Sequence, residues 1–212
     1  MARQRLISAE DHLRSILTLL APESLLPQFS LFTLIGGAAV ATVHARRLLD
    51  PAIDESARLG RGLSVRLVNL EKQQKVHPEA QGSHFDDRVE HLRKRAEANG
   101  IAVIRNRNGA ITGFGDGWLS DTDLFEMYMP GIGKTYFQYL SGYAHSLPWA
   151  QLPTSRAMPS DDQNFVLVPT HVDVPVLADV LDSALSLYDE TVAFFLGHGG
   201  YPAMVWNEAK KG

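Results

Sequence analysis

"MPGIGKTYF", residues 129–137, decides between two folds. Gly133, Lys134 and Thr135 match the end of a phosphate-binding loop, G-x-x-x-x-G-K-[ST], in which successive backbone N–H groups wrap a nucleotide's phosphates. The motif fails at its first glycine, because that position is Tyr128. It also fails in context. A buried strand should lead into the loop, but the preceding "SDTDLFEMYM" reads as a short helix. Ser120 or Asp121 is its N-cap, and Leu124, Phe125 and Tyr128 share one face. No apolar strand ending in Asp follows to hold magnesium. The stretch is therefore read as a helix–helix connection: Pro130 and Gly131 break one helix, and the next begins near Gly133 or Lys134.

Working outward, helical patterns dominate. Ser8 is the expected start of a first helix, with Leu13, Ile16, Leu17 and Leu20 on its apolar face. Pro22 and Pro27 bound a loop. Ser30 is the expected cap of a second helix running to about Leu49, in which Gly36, Gly37, Ala38 and Ala39 invite close approach of a neighbouring helix or a ligand. Asp50 as N-cap and Pro51 at the first position predict a third helix reaching Lys75. Ser83 opens a fourth, highly charged helix that ends at Gly100. The period then changes: "IAVIRNRNGAITGF" carries two short β-like runs around Arg107-Asn108-Gly109, a hairpin signal. Helices fill residues 121–147, and a long loop with Pro148, Pro153 and Pro159 follows. "FVLV" is one more extended run, and Asp173 with Pro175 opens a last long helix ending at Gly197. The expected fold is mainly α: a single-domain helical bundle over residues 1–212, with a small β-hairpin insert at about 101–115 and a loop at about 147–164.

Composition narrows the function classes. The 212 residues suffice for one substantial core, and 45% hydrophobic with 21% charged residues is the mix of a soluble globular protein. A formal charge of −4 argues against a nucleic-acid partner. The absence of cysteine excludes disulfides, thiolate zinc sites and a cysteine nucleophile, and fits a reducing cytoplasm. The start, "MARQRLISAEDHLRS", lacks the apolar run of a signal peptide. The most apolar segment, "LFTLIGGAAVATV" at 31–43, is 13 residues, too short for a bilayer, and predicts a buried core helix rather than a membrane span.

The polar constellation lies in "TYFQYLSGYAHSLPW", residues 135–149. On a helix, Ser141 and His145 are i and i+4, one turn apart. Imidazole can act as a general base, and the serine hydroxyl as its hydrogen-bond partner or as a nucleophile. Tyr136, Tyr139, Tyr143 and Trp149 are the candidate binding side chains around that pair, with Gly142 leaving room beside it. The alternative is a satisfied polar pair in an aromatic core. Arg46 and Arg58, in "HARRLLDPAIDESARLGR", are further binding candidates if an arginine points inward to hold an anion or a buried carboxylate. Opposite charges at this spacing otherwise form a solvated face. His84, Asp87 and His91 share a face of the fourth helix, but the spacing is unspecific for a metal and the helix has a surface composition, so no metal site is expected. "GFGDG" at 113–117 lacks a following Rossmann helix, and no cofactor is expected.

"ARRLLDPAIDESARLGRGLSVRLVNLEKQ", "SDTDLFEMY" and "YFQYLSGYAHSLPWA", taken in that order, resemble a family of bacterial, mainly actinobacterial, helical proteins with no assigned chemistry. The resemblance covers about residues 30–150. Phe137 stands where members often carry an arginine. The "LS..AH" element more loosely resembles the DUF5677 and AbiV-type proteins near the HEPN ribonucleases, whose R-x(4–6)-H motif has a polar residue after the arginine. Arg5 and His12 have that spacing, but Leu6 follows the arginine, and no arginine stands four to six residues before His145. That departure implies that, if the fold is shared, the nuclease site is not.

Three readings follow. The leading one is a small-molecule pocket inside the bundle that binds or transforms a metabolite, with Ser141 and His145 at its wall. The others are a HEPN-like ribonuclease or toxin-type module, and a non-catalytic partner protein that forms a homodimer through its glycine-rich helix.

Overall fold

Glycine and aspartate set most of the element boundaries, and helices fill nearly all the length between them. The computed structural model describes residues 1–21, 27–77, 82–151, 158–159, 166–167 and 173–201. It is a mainly helical protein with a small antiparallel hairpin, as the periodicity predicts. The chain forms two compact units, Met1–Arg46 with Asp121–Gly212, and Arg47–Ser120.

In the first unit, α1 (Ala2–Leu19) begins six residues before the expected Ser8. Nothing between residues 2 and 8 breaks a helix, and Arg5 N–H already donates to the Met1 carbonyl. Its buried stripe is Leu6, Ala9, Leu13 and Ile16. α2 (Gln28–Leu49) likewise begins before the expected cap at Ser30. It buries Leu31, Phe32, Ile35, Ala38, Ala39 and Val43. With 22 residues it is longer than the apolar run alone suggested. By length and composition Phe29–Leu49 could cross a bilayer, but more than half of its most apolar window is buried within the protein. α5 (Asp121–Tyr128) and α6 (Gly133–Ala144) form a tight helical hairpin, α7 (Pro148–Gln151) packs on α6, and α8 (Val174–His198) lies against α1. Asp173 caps α8 as expected, accepting from Val176 N–H at 3.1 Å. The predicted loop at 147–164 starts with α7. Further along, β3 (Met158–Pro159) pairs antiparallel with β4 (Val166–Leu167), which lies within "FVLV". The rest of that loop is outside the described residues.

The stretch that mimics a nucleotide loop is the α5–α6 turn. Gly131 takes φ +84°, a conformation that favours glycine. A Cβ at Gly133 would lie 2.0 Å from the Phe125 carbonyl oxygen, so only glycine lets α6 start there. The Glu126 carboxylate accepts hydrogen bonds from Gly131 N–H and Lys134 N–H, both at 3.2 Å. The amides that a phosphate would need are held by the protein's own carboxylate.

The second unit is α3 (Glu55–Val76), α4 (Gly82–Ala98), and the hairpin β1 (Val103–Arg105) and β2 (Ile111–Phe114). Leu63, Leu67, Leu70, Leu92, Ala96, Ile101 and Phe114 make its core. Ser64 Oγ pins the hairpin to α3, accepting from Phe114 N–H at 2.8 Å and donating to its carbonyl at 3.0 Å. The N-cap of α3 is Asp54, not Asp50: Asp54 accepts from Ala57 N–H at 2.7 Å, while Asp50 closes a turn onto Ala52 N–H. The charged run resolves into buried structure. Arg61 donates to Asp116 at 2.7 Å and to the Arg47 carbonyl at 2.9 Å, and Arg47 donates to the Gly117 carbonyl at 3.0 Å. Gly115 and Gly117, at φ +64° and +77°, present Asp116 to both arginines. "GFGDG" therefore serves as an internal counter-ion loop.

Candidate functional site

A half-open cavity of about 530 Å³ lies in the first unit. Four helices line it. α1 contributes Arg5, Ser8 and His12, and α2 contributes Thr33, Gly36, Gly37, Val40 and Ala41. α5 contributes Asp121 and Phe125, and α6 with the residue that caps it contributes Phe137, Leu140, Ser141, Ala144 and His145. The volume falls within the range of ligand-sized clefts, and the lining combines an apolar floor with a few polar groups.

Sequence spacing explains who faces inward. On α1, Arg5, Ser8 and His12 are i, i+3 and i+7, a polar stripe one residue out of step with the buried stripe that starts at Leu6. On α6, Phe137, Leu140, Ser141 and Ala144 form one stripe, and Tyr136, Tyr139 and Tyr143 another. The glycines of α2 bring the walls together. A Cβ at Gly37 would lie 2.8 Å from His12 Nε2, and one at Gly36 would lie 3.4 Å from Leu140 Cβ. The close approach anticipated for this glycine pair is thus met by His12 and Leu140 of the same unit.

The two residues expected to act, Ser141 and His145, both line the cavity. Ser141 is half-buried and His145 is exposed. They are related as helix and cap: His145 follows the last helical residue, and its backbone N–H donates to the Ser141 carbonyl at 3.0 Å. The expected binding residues are placed elsewhere. Tyr136 is buried, with its hydroxyl donating to the Val180 carbonyl at 2.8 Å. Tyr139 and Tyr143 bond each other at 3.2 Å, and Tyr143 stacks on Phe32 with ring centroids 4.2 Å apart. None of the three lines the cavity. The physical reason is that residues two apart on a helix point to opposite sides, so Tyr139 and Tyr143 cannot share a wall with Ser141 and His145. Gly142 leaves no free room either: a Cβ there would lie 2.7 Å from Ala150 Cβ and 3.0 Å from the Trp149 ring, so the glycine seats α7. Trp149 is itself half exposed to solvent. Arg46 pairs with Glu190 and lies over the rings of Tyr128 and Phe194 at 5.2 and 5.1 Å. Arg58, in the second unit, donates to the carbonyls of Leu48, Asp50 and Ile53. Both arginines are engaged by the protein's own acceptors, Arg46 by an exposed carboxylate and Arg58 by part-buried carbonyls.

In sequence, Ser8 and Asp121 read only as helix starts, and Arg5 and His12 are set aside because of Leu6. In the structure Leu6 is buried in the core stripe, one position away from the polar one. Among the described residues, the side chains of Arg5, His12, Ser141 and His145 make no hydrogen bond or ion pair. Burial holds the Arg5 guanidinium below the usual arginine range, and the charge of Asp121 partly offsets that. Asp121 Oδ1 is 2.7 Å from Nε2 of the buried His44. Burial pushes the Tyr136 and Tyr139 phenols well above the usual tyrosine range, with the Tyr143 hydroxyl adding to the shift at Tyr139. Both are therefore hydrogen-bonding groups and not proton shuttles at neutral pH. No group of three His, Asp or Glu side chains among the described residues is placed to hold a metal; His84, Asp87 and His91 are exposed on α4.

The arrangement offers a cation, a carboxylate, two imidazoles and three hydroxyls around an apolar floor. It can bind and orient a small organic molecule, and its imidazoles can exchange protons with it. No protein-family model, curated protein or solved structure matches the chain.

Proposed function

We propose that the first unit binds, and through its histidines can transform, a small organic metabolite in the cavity between α1, α2, α5 and α6. The observation that carries this reading is that Arg5, His12, Ser141 and His145, whose side chains make no hydrogen bond or ion pair among the described residues, all line one space of about 530 Å³. Arg5, His12 and Ser141 are half-buried and His145 is exposed, so all four reach the open side of the cavity and are available to a ligand there. A cysteine-free chain of this composition suits work in the cytoplasm. A homodimer through the glycine-rich helix has less support, since Gly36 and Gly37 face Leu140 and His12.

A thermal-shift screen of a metabolite library against the chain and against Ala144→Trp tests the reading. Ala144 is exposed and lines the cavity, so the indole enters the space with little cost to the core. Ligands of the cavity raise Tm in the parent chain and not in the variant. A library with no such compound, or stabilisation that survives in the variant, would refute the site.

A second reading has one observation in its favour. Arg5 and His12 have the arginine–histidine spacing of HEPN ribonucleases, and both line the cavity from one face of α1. A guanidinium for the phosphate and imidazoles for proton transfer suit phosphodiester cleavage. Single-stranded RNA cut by the parent chain and left intact by His12→Ala would favour it. The formal charge of −4 gives RNA no general attraction to the protein.

A further inference from the structure

The reading of the cavity as a metabolite site can be carried one step further, and the next inference rests on it. We infer that the ligand is an organic anion, with its phosphate or carboxylate group on Arg5 and its apolar body on Phe137, Val40 and Ala144.

Three observations point there. The first is Arg5 itself. Its guanidinium is half-buried and, among the described residues, has no hydrogen bond and no ion pair. A guanidinium presents five N–H donors in a planar fork that matches two oxygens of one anionic group. The second is the balance of the wall. Arg5 can only donate, and His12, His145, Ser8 and Ser141 each can, whereas Asp121 is the only carboxylate among the described lining residues. That carboxylate is already engaged with His44 at 2.7 Å. A lining rich in donors selects a ligand rich in acceptors. The third is the floor, which is aromatic and aliphatic and offers nothing to a bare inorganic ion. Charge at one end and apolar contact at the other define an amphiphilic anion.

Ser8 sits between Arg5 and His12 on the same stripe, one turn from each, so the polar side chains of α1 line the cavity in a row about two turns long.

Titration calorimetry on the full chain with phenyl phosphate, benzoate and phenol tests the inference. The three probes share a ring and differ only in the headgroup. Phenyl phosphate, benzoate or both should bind at least about tenfold more tightly than phenol, the margin of a charge-assisted bidentate contact. Arg5→Gln should remove that margin and leave phenol binding as it was, which also shows that the variant is folded. Ser8→Glu, at an exposed position beside Arg5, should weaken the anions by a similar factor through repulsion, and gives the same answer should Arg5→Gln not fold. Preference for the phosphate over the carboxylate probe, or the reverse, identifies which headgroup the site takes. Phenol binding as tightly as both anions, or an anion margin that survives both variants, would overturn the inference and leave the cavity reading intact. No binding of any probe at millimolar concentration also overturns it, while the Ala144→Trp screen still decides the cavity reading separately.

Discussion

Gly37→Ala should separate stability from function. The added methyl would stand 2.8 Å from His12 Nε2, 3.0 Å from Cδ2 and 3.2 Å from Cε1. Ordinary carbon contacts begin at about 3.5 Å, so the imidazole must retreat by roughly half an ångström or more. It is a side chain at the cavity wall and can do so, at about 0.5–1.5 kcal/mol if it leaves its preferred rotamer. Against this, replacing glycine by alanine inside a helix gains about 0.8–1.0 kcal/mol. The two nearly cancel, and the variant should unfold in urea within about 1 kcal/mol of the parent. Its His12 ring resonances, read by two-dimensional NMR, should shift, and ligand binding should weaken. A loss above about 2 kcal/mol would mean that α1 itself must move, a cost in the overpacking range. Unmoved His12 resonances would mean that the ring does not lie on Gly37. Either result would refute the account of why α2 carries glycine at this point.

Gly133→Ala should do the opposite. Its Cβ would meet the Phe125 backbone at 2.0 and 2.3 Å, which cannot yield, so the chain should lose about 1–3 kcal/mol or more, read as a lower Tm. His145→Ala should change stability by less than about 0.5 kcal/mol, because the side chain is exposed, while weakening any ligand that stabilises the parent. Stability should fall as pH rises above about 10: the unfolded chain ionises its tyrosines there, while burial keeps Tyr136 and Tyr139 protonated to higher pH. Tyr136→Phe should flatten that alkaline slope and cost about 1 kcal/mol at neutral pH for the lost bond to Val180. Micromolar ATP or GTP should not bind at Lys134, and equilibrium dialysis showing binding that Lys134→Ala abolishes would contradict the role given to Glu126.

Helical periodicity carried most of the fold, since each long helix has an apolar stripe that no strand could bury. The starts of helices were less legible. Two aspartates four residues apart, Asp50 and Asp54, are equally good caps in sequence. What separates them is the Arg58 guanidinium bonding the Leu48, Asp50 and Ile53 carbonyls, which keeps residues 50–54 in a turn. The site was half legible. α6 carries two stripes, tyrosines on one and Ser141 with Leu140 on the other, and sequence alone does not say which faces a cavity. That choice depends on the α2 glycines, whose partners come from α1 and α6. Arg5 and His12 were visible as a spaced pair, but their meaning needed the neighbouring wall 130 residues away, where Ser141 and His145 stand.

The α5–α6 turn has a kinetic consequence. Gly133 against Phe125, and Lys134 against Glu126, are contacts between residues only eight apart. Other ties in the same unit reach much further, with Tyr136 bonding Val180 and Arg46 meeting Glu190. Short loops close at less entropic cost and sooner than long ones. This helical hairpin is therefore the piece of the first unit best able to form before the rest of the chain has arrived, offering Leu124, Phe125 and Leu140 as a preassembled apolar surface. Gly133→Ala should then slow refolding in stopped-flow more than it speeds unfolding, the signature of a contact already made at the folding barrier.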